Sequence, residues 1–133
     1  MDLDELAFQL NNYVGEEGTS FDAVLNEDGI LEVICSNNDE FPIHMTTTDT
    51  QILAVTRLFD VSEVVVGSVN ELNEIFLLMS PAVPLSSIGR QGNAYILFGA
   101  MALGTRFEVI AHELEVQAEN TIDVLEAVEE LLT

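Results

Sequence analysis

Hydrophobic positions recur along this chain with two different periods. Leu3, Leu6, Leu10 and Tyr13 return every three or four residues, with Ala7 and Val14 beside them, which predicts an amphipathic helix facing a core. Asp2 stands three residues before Glu5, the spacing of a capping box, and Gly15 and Gly18 end the helix. The period then shortens. Phe21 to Leu25 and Ile30 to Ile34 are β-rich runs around Asn26-Glu27-Asp28-Gly29, whose Asp-Gly pair favours a tight hairpin. Ser36 to Glu40 reads as a polar turn, Phe41 to Met45 as a third strand, and Thr46 to Thr50 as another connection. Gln51 to Phe59 fits a helix through Ile52, Val55, Leu58 and Phe59, and a strand through its β-branched content; the neighbouring runs need a sheet, which favours the strand.

Val61 to Val66 is apolar except at Ser62 and Glu63, and Gly67-Ser68 offers a break and a cap. Leu72, Ile75, Phe76 and Met79 trace one helix face that Pro81 terminates. Pro84 to Asn93 reads as a loop, and Tyr95 to Leu103 as a buried strand in which Gly99 marks a bulge or a close backbone crossing. Thr105 and Glu108 have capping-box spacing. Phe107, Ile110, Leu114, Ala118, Ile122, Leu125, Val128 and Leu132 then advance without proline or glycine, giving one long helix or two meeting near Asn120. These elements predict an α+β fold: an antiparallel meandering sheet with the amino- and carboxy-terminal helices packed on it. Residues 1–133 are expected to form a single compact domain.

Charge narrows the function. There are 24 acidic residues against three arginines (Arg57, Arg90 and Arg106), no lysine, and a formal charge of -21. Three scattered arginines cannot neutralise a phosphate backbone or attract an anionic leaflet, so neither nucleic-acid binding nor membrane docking is expected. The apolar stretches are too short or too glycine-interrupted to span a bilayer. Cys35 is the only cysteine, and the amino terminus lacks a signal-peptide pattern, so a cytoplasmic location is expected. With a hydrophobic fraction of 48%, the acids must segregate to the surface. On the last helix Glu108, His112, Glu115 and Glu119 form their own row opposite Phe107, Ile110, Leu114 and Ala118, which predicts an exposed acidic face.

Candidate chemistry is sparse. The Glu108-His112-Glu115-Glu119 row fans outward rather than converging on a metal, and Val116 stands where the second histidine of a His-Glu-x-x-His motif belongs. A Cys35-His44 nucleophilic pair would require an approach that the sequence does not show; a core thiol and a polar strand histidine are the plainer readings. The acids at Glu16, Glu17, Glu27, Asp28, Asp39 and Glu40 cluster at element ends and can form a rim. The Pro84 to Asn93 segment carries glycines that allow close backbone approach and Arg90, which can pair with a carboxylate or phosphate, but it has neither a phosphate-binding nor a dinucleotide-binding glycine pattern. Pro84, Ser86, Arg90, Tyr95 and Phe98 are the expected ligand- or partner-binding residues. No catalytic residue, metal or cofactor is expected.

Gln51-Ile52-Leu53, Asp60-Val61 followed by Asn70 to Leu78, Pro84-Leu85-Ser86, Tyr95-Ile96-Leu97-Phe98-Gly99-Ala100 and the Glu113 to Asn120 region together resemble the YjfI-like family of small acidic bacterial proteins. Met101-Ala102 stands where a Leu-Ser pair is expected, so no serine role is carried over. The resemblance implies a cytoplasmic accessory role in envelope stress beside a phage-shock-protein-A-like membrane-remodelling protein. The element order is also similar to that of small acidic secretion chaperones. The expected function is therefore that of a non-enzymatic, protein-binding adaptor or chaperone-like protein, the alternative being a small-molecule-binding or weakly catalytic domain built on the Pro84 to Asn93 loop. A homodimer would cover residual apolar surface at the cost of opposing two negative copies.

Overall fold

The computed structural model describes residues 2–133. Its elements run α1 (Leu3–Asn11), β1 (Phe21–Leu25), β2 (Leu31–Cys35), β3 (Asn38–Thr47), β4 (Gln51–Asp60), α2 (Val69–Met79), β5 (Ser87–Gln91), β6 (Ala94–Ala102) and α3 (Phe107–Val128), with short 3-10 turns at Val61–Glu63, Ser80–Ala82 and Glu129–Leu131. The strands form one open antiparallel sheet in the order β1-β2-β3-β4-β6-β5. The first four strands meander as expected. The last two do not: β6 pairs with β4, and β5 is placed outside it.

Local chemistry sets the boundaries. The Asp2 carboxylate accepts hydrogen bonds from the Asp4 and Glu5 amides, so α1 is capped as its sequence predicts. In the β1-β2 turn Gly29 has φ +79°, and the Asn26 side chain accepts from the Asp28 and Ile30 amides. Gln51–Asp60 is a strand, as favoured. The expected Ser36 to Glu40 turn shrinks to Ser36-Asn37, because β3 already starts at Asn38 opposite Cys35. The neighbouring asparagines tie this corner to the last helix: Asn37 donates to the Glu115 carbonyl at 3.0 Å and Asn38 to the Ala118 carbonyl at 3.1 Å. Thr105 does not cap α3; its hydroxyl donates to the Ala102 carbonyl instead, and Arg106 occupies the cap position without a side-chain bond. A capping box forms instead at Asp60 and Glu63. α3 is a single unbroken helix through Asn120.

All three helices pack on one face of the sheet. Leu6 and Leu10 of α1 and Ile110 and Leu114 of α3 meet Phe21, Val33, Ile43, Met45 and Ile52 in one cluster. Leu72 and Phe76 of α2 and Val124 and Val128 of α3 meet Leu58, Phe59, Tyr95 and Leu97 in a second. A register shift between Arg57 and Phe59 turns both Leu58 and Phe59 inward. Gln117 stitches α3 to the sheet between the clusters, its Nε2 donating to the Thr56 hydroxyl at 2.9 Å and to the Ala54 carbonyl at 3.2 Å. Gly99 marks the close crossing expected of it: a Cβ there would stand 3.3 Å from both the Gln117 side chain and the Leu85 carbonyl.

Candidate functional site

The five expected binding residues do not share one site. Pro84 and Ser86 belong to the connection entering β5, where the buried Asn120 donates to the Pro84 carbonyl at 2.7 Å and to the Ser86 hydroxyl at 3.2 Å. They anchor a loop to a helix. Ser87–Gln91, read from the sequence as part of a loop, is an edge strand paired with β6, because Gly92 at φ +60° and Asn93 close a two-residue hairpin. Arg90 and Tyr95 do meet, on the helix-bearing side. The guanidinium lies 5.6 Å from the Tyr95 ring centre, its Nε donates to the Gly92 carbonyl, and the Tyr95 hydroxyl donates to Asn73. With Phe76, Leu77 and Ile88 they border a cavity of about 250 Å³. Phe98 is on the opposite face of the sheet.

A Cys35-His44 pair is ruled out by the same alternation. Cys35 is 1% exposed beneath α3, with its sulfur 3.9 Å from the Leu114 carbonyl, whereas His44 lies between the buried Ile43 and Met45 and points to the other face. Burial, reinforced by the charge of Glu115, pushes the Cys35 thiol up to about 12. Such a thiol is a poor nucleophile at neutral pH.

The uncovered face is the largest feature that sequence reasoning missed. Its registered rows run Glu32-His44-Val55-Phe98-Ser87 across five strands, Thr46-Leu53-Ala100 on one side and Arg57-Ile96-Gly89 on the other. Leu53, Val55 and Phe98 are half-buried and Ile96 is 8% exposed; all four lie outside both core clusters and form an apolar strip on the face of the sheet that no helix covers. Phe98 leans over Gly89, where a Cβ would come within 2.9 Å of its ring. Toward β1, Val24 is 61% exposed, and Glu32 and Asp22 place carboxylates on the same face two and three strands from β4, whereas Arg57 pairs directly with Ile96. The sequence did carry the signal: Ile52 to Val55 and Tyr95 to Phe98 are continuously apolar, whereas strands covered on one face alone normally alternate.

The acidic row of α3 also needs correction. Glu108, His112 and Glu119 are exposed as expected, but Glu115 is 8% exposed, and Gln117, Asn120 and Thr121 are buried with it. The connection from α1 to β1 and the Ser36-Asn37 corner close over the helix at this point, so its buried sector is wider than the apolar stripe indicates.

A family model for uncharacterized proteins conserved in bacteria (DUF2170) matches residues 1–132. The chain belongs to this family. The protein YjfI of Escherichia coli K12, described as uncharacterized, is 29% identical over 111 residues, covering 80% of this chain and 82% of YjfI; YjfI of Escherichia coli O157:H7 matches to the same extent. Among solved structures, Escherichia coli YbjN has the same fold with a TM-score of 0.69 at 18% identity, covering 100% of this chain and 96% of YbjN. A chain of the ExsC-ExsE complex is more distant, with a TM-score of 0.51 at 14% identity over 99% of this chain and 97% of its own. The expected likeness to YjfI is thereby shown, and the fold is shared with YbjN and, more distantly, with the ExsC-ExsE chain. No helix among the described residues is long and apolar enough to cross a membrane.

Proposed function

We propose that this protein is a non-enzymatic accessory protein that binds a partner polypeptide on the uncovered face of its sheet. The apolar strip of Leu53, Val55, Ile96 and Phe98, outside both cores, carries this reading. These side chains are half-buried or, at Ile96, buried within a sheet face that no helix covers, and contiguous apolar surface of this kind with polar surroundings marks interaction sites. Charge selects the occupant. With a formal charge of -21 a second copy is repelled, whereas an apolar segment with lysine or arginine flanks gains both burial and complementarity to the acidic surface as a whole. A non-catalytic role is further supported by the buried, high-pKa Cys35 and by the separation of His44 from it. A fold relative solved within the two-protein ExsC-ExsE complex accords with protein binding on this scaffold.

The partner proposed on the family resemblance is a phage-shock-protein-A-like membrane-remodelling protein, engaged in the cytoplasm during envelope stress. Co-purification of that partner with the wild-type chain and with Val55→Asp tests the assignment. The wild type retains the partner and the folded variant loses it. Equal retention of the partner by both chains, or by neither, refutes this reading.

A further inference from the structure

A second concavity lies on the helix-bearing side, where the α1-β1 connection passes the first half of α3. Its volume is about 290 Å³, at the small end of ligand sites. Glu16 and Glu17 enter from the connection and Glu108 and Glu115 from α3, while Tyr13 and Phe21, stacked with ring centres 6.4 Å apart, supply aromatic wall. Acidic residues alone would be unremarkable in this chain. Glu115 is different: it is more than nine-tenths buried, it borders the cavity, and its Oε2 has no hydrogen-bond partner. Gly15 leaves the space that this oxygen uses, since a Cβ there would stand 3.2 Å from it.

A buried carboxylate oxygen without a donor is costly and calls for an explanation. The chain has no lysine, none of its three arginines borders the cavity, and His112, which does border it, makes no hydrogen bond to the Glu115 Oε2. Among the described residues the sole ion pair is Arg57 with Asp60. Nor do three or more His, Cys, Asp or Glu side chains among these residues converge in a group that could hold a metal ion. Carboxylates spread around an aromatic wall suit a larger cation with several N–H donors, whose charge can also sit against a ring face.

We propose that this cavity binds an organic cation, an alkylammonium or guanidinium group, with Glu115 accepting its N–H donors, Tyr13 and Phe21 flanking its alkyl stem, and Glu16, Glu17 and Glu108 attracting it. The group arrives either as a basic side chain of a bound polypeptide or as a free polyamine. The cavity and the apolar strip lie on opposite sides of the sheet, so either can fail without the other.

Amide NMR titrations of the full chain at physiological salt test the assignment, with Nα-acetylarginine amide and spermidine as probes and the neutral isostere Nα-acetylcitrulline amide as control. Saturable shifts are expected at Gly15, Ala111 and Glu115 with at least one cation and none with citrulline amide. Glu115→Gln should weaken binding at least tenfold without lowering Tm, Gly15→Ala should block the same shifts from the opposite wall, and the remote Asp28→Asn should change nothing. Tighter binding of the arginine derivative identifies a side chain as the source, and tighter binding of spermidine a polyamine. Shifts that are equal for citrulline amide, absent for both cations, unchanged in Glu115→Gln, or weakened as much by Asp28→Asn would overturn the proposal.

Discussion

Replacing Gln117 with methionine keeps the length of a side chain that is 2% exposed and removes the donor from Thr56, which is 0% exposed. The Thr56 hydroxyl is then buried without the 2.9 Å bond from Gln117, and the Ala54 carbonyl loses its 3.2 Å bond. Stranding a buried polar group costs about 1–3 kcal/mol, whereas removing both partners together can be nearly neutral. Gln117→Met should therefore cost about 2 kcal/mol, which for a domain of this size lowers Tm by roughly 6–10 °C. Thr56→Val should cost less, because Gln117 keeps the Ala54 carbonyl. The double variant should recover at least about 1 kcal/mol of the summed losses, since contacting residues couple by about 0.5–3 kcal/mol. Urea unfolding followed by circular dichroism measures all four corners of the cycle. Additivity to within about 0.5 kcal/mol would show that Gln117 and Thr56 are not joined, and α3 would then not be stitched to β4 through this pair.

Three further outcomes follow from charge, burial and the two faces of the sheet. With one ion pair among the described residues and a formal charge of -21, screening should relieve more repulsion than attraction, so Tm should rise between low salt and half-molar sodium chloride; a fall would mean that favourable ion pairs dominate. Cys35 should resist a thiol reagent in the native state at pH 8 and react on unfolding. Because its folded pKa, about 12, lies above the ordinary 9.0, the unfolded chain loses the proton first, and this group's contribution to stability should fall as pH rises from about 9 towards 12; rapid native labelling would contradict the burial. Gly89→Ala presses only on the movable end of the Phe98 ring and should cost under about 1 kcal/mol, whereas Gly99→Ala meets the Leu85 backbone and Gln117 and should cost about 1–3 kcal/mol. The reverse order in thermal melts would mean that the Phe98 face is the covered one.

Most of the fold is legible along the chain because most of its signals are local. The Asn26-Gly29 turn, the Asp2 cap, the period of α3 and the continuous apolarity of Tyr95 to Leu103 each specify their element within a few residues. What the sequence does not show depends on partners distant in the chain. Ser87–Gln91 becomes a strand only because β6 folds back beside it, and that insertion breaks the simple meander. Glu115 sits on the polar side of a helical wheel, yet it is buried because a connection from α1 and a corner at Asn37 close over it. The candidate residues scattered for a similar reason: successive positions of one strand face opposite ways, so Tyr95 and Phe98, an odd number of residues apart, cannot serve one surface.

In the proposed function the strip of Leu53, Val55, Ile96 and Phe98 receives a basic-flanked apolar segment. The most direct measurement of this is the affinity of a synthetic peptide with an apolar centre and lysine flanks for the wild type and for Val55→Asp, with a glutamate-flanked peptide as control and unfolding curves establishing that the variant is folded. The lysine-flanked peptide alone should bind, and Val55→Asp should weaken it at least tenfold. Equal affinity of both proteins for that peptide, or equal binding of the glutamate-flanked control, would contradict it.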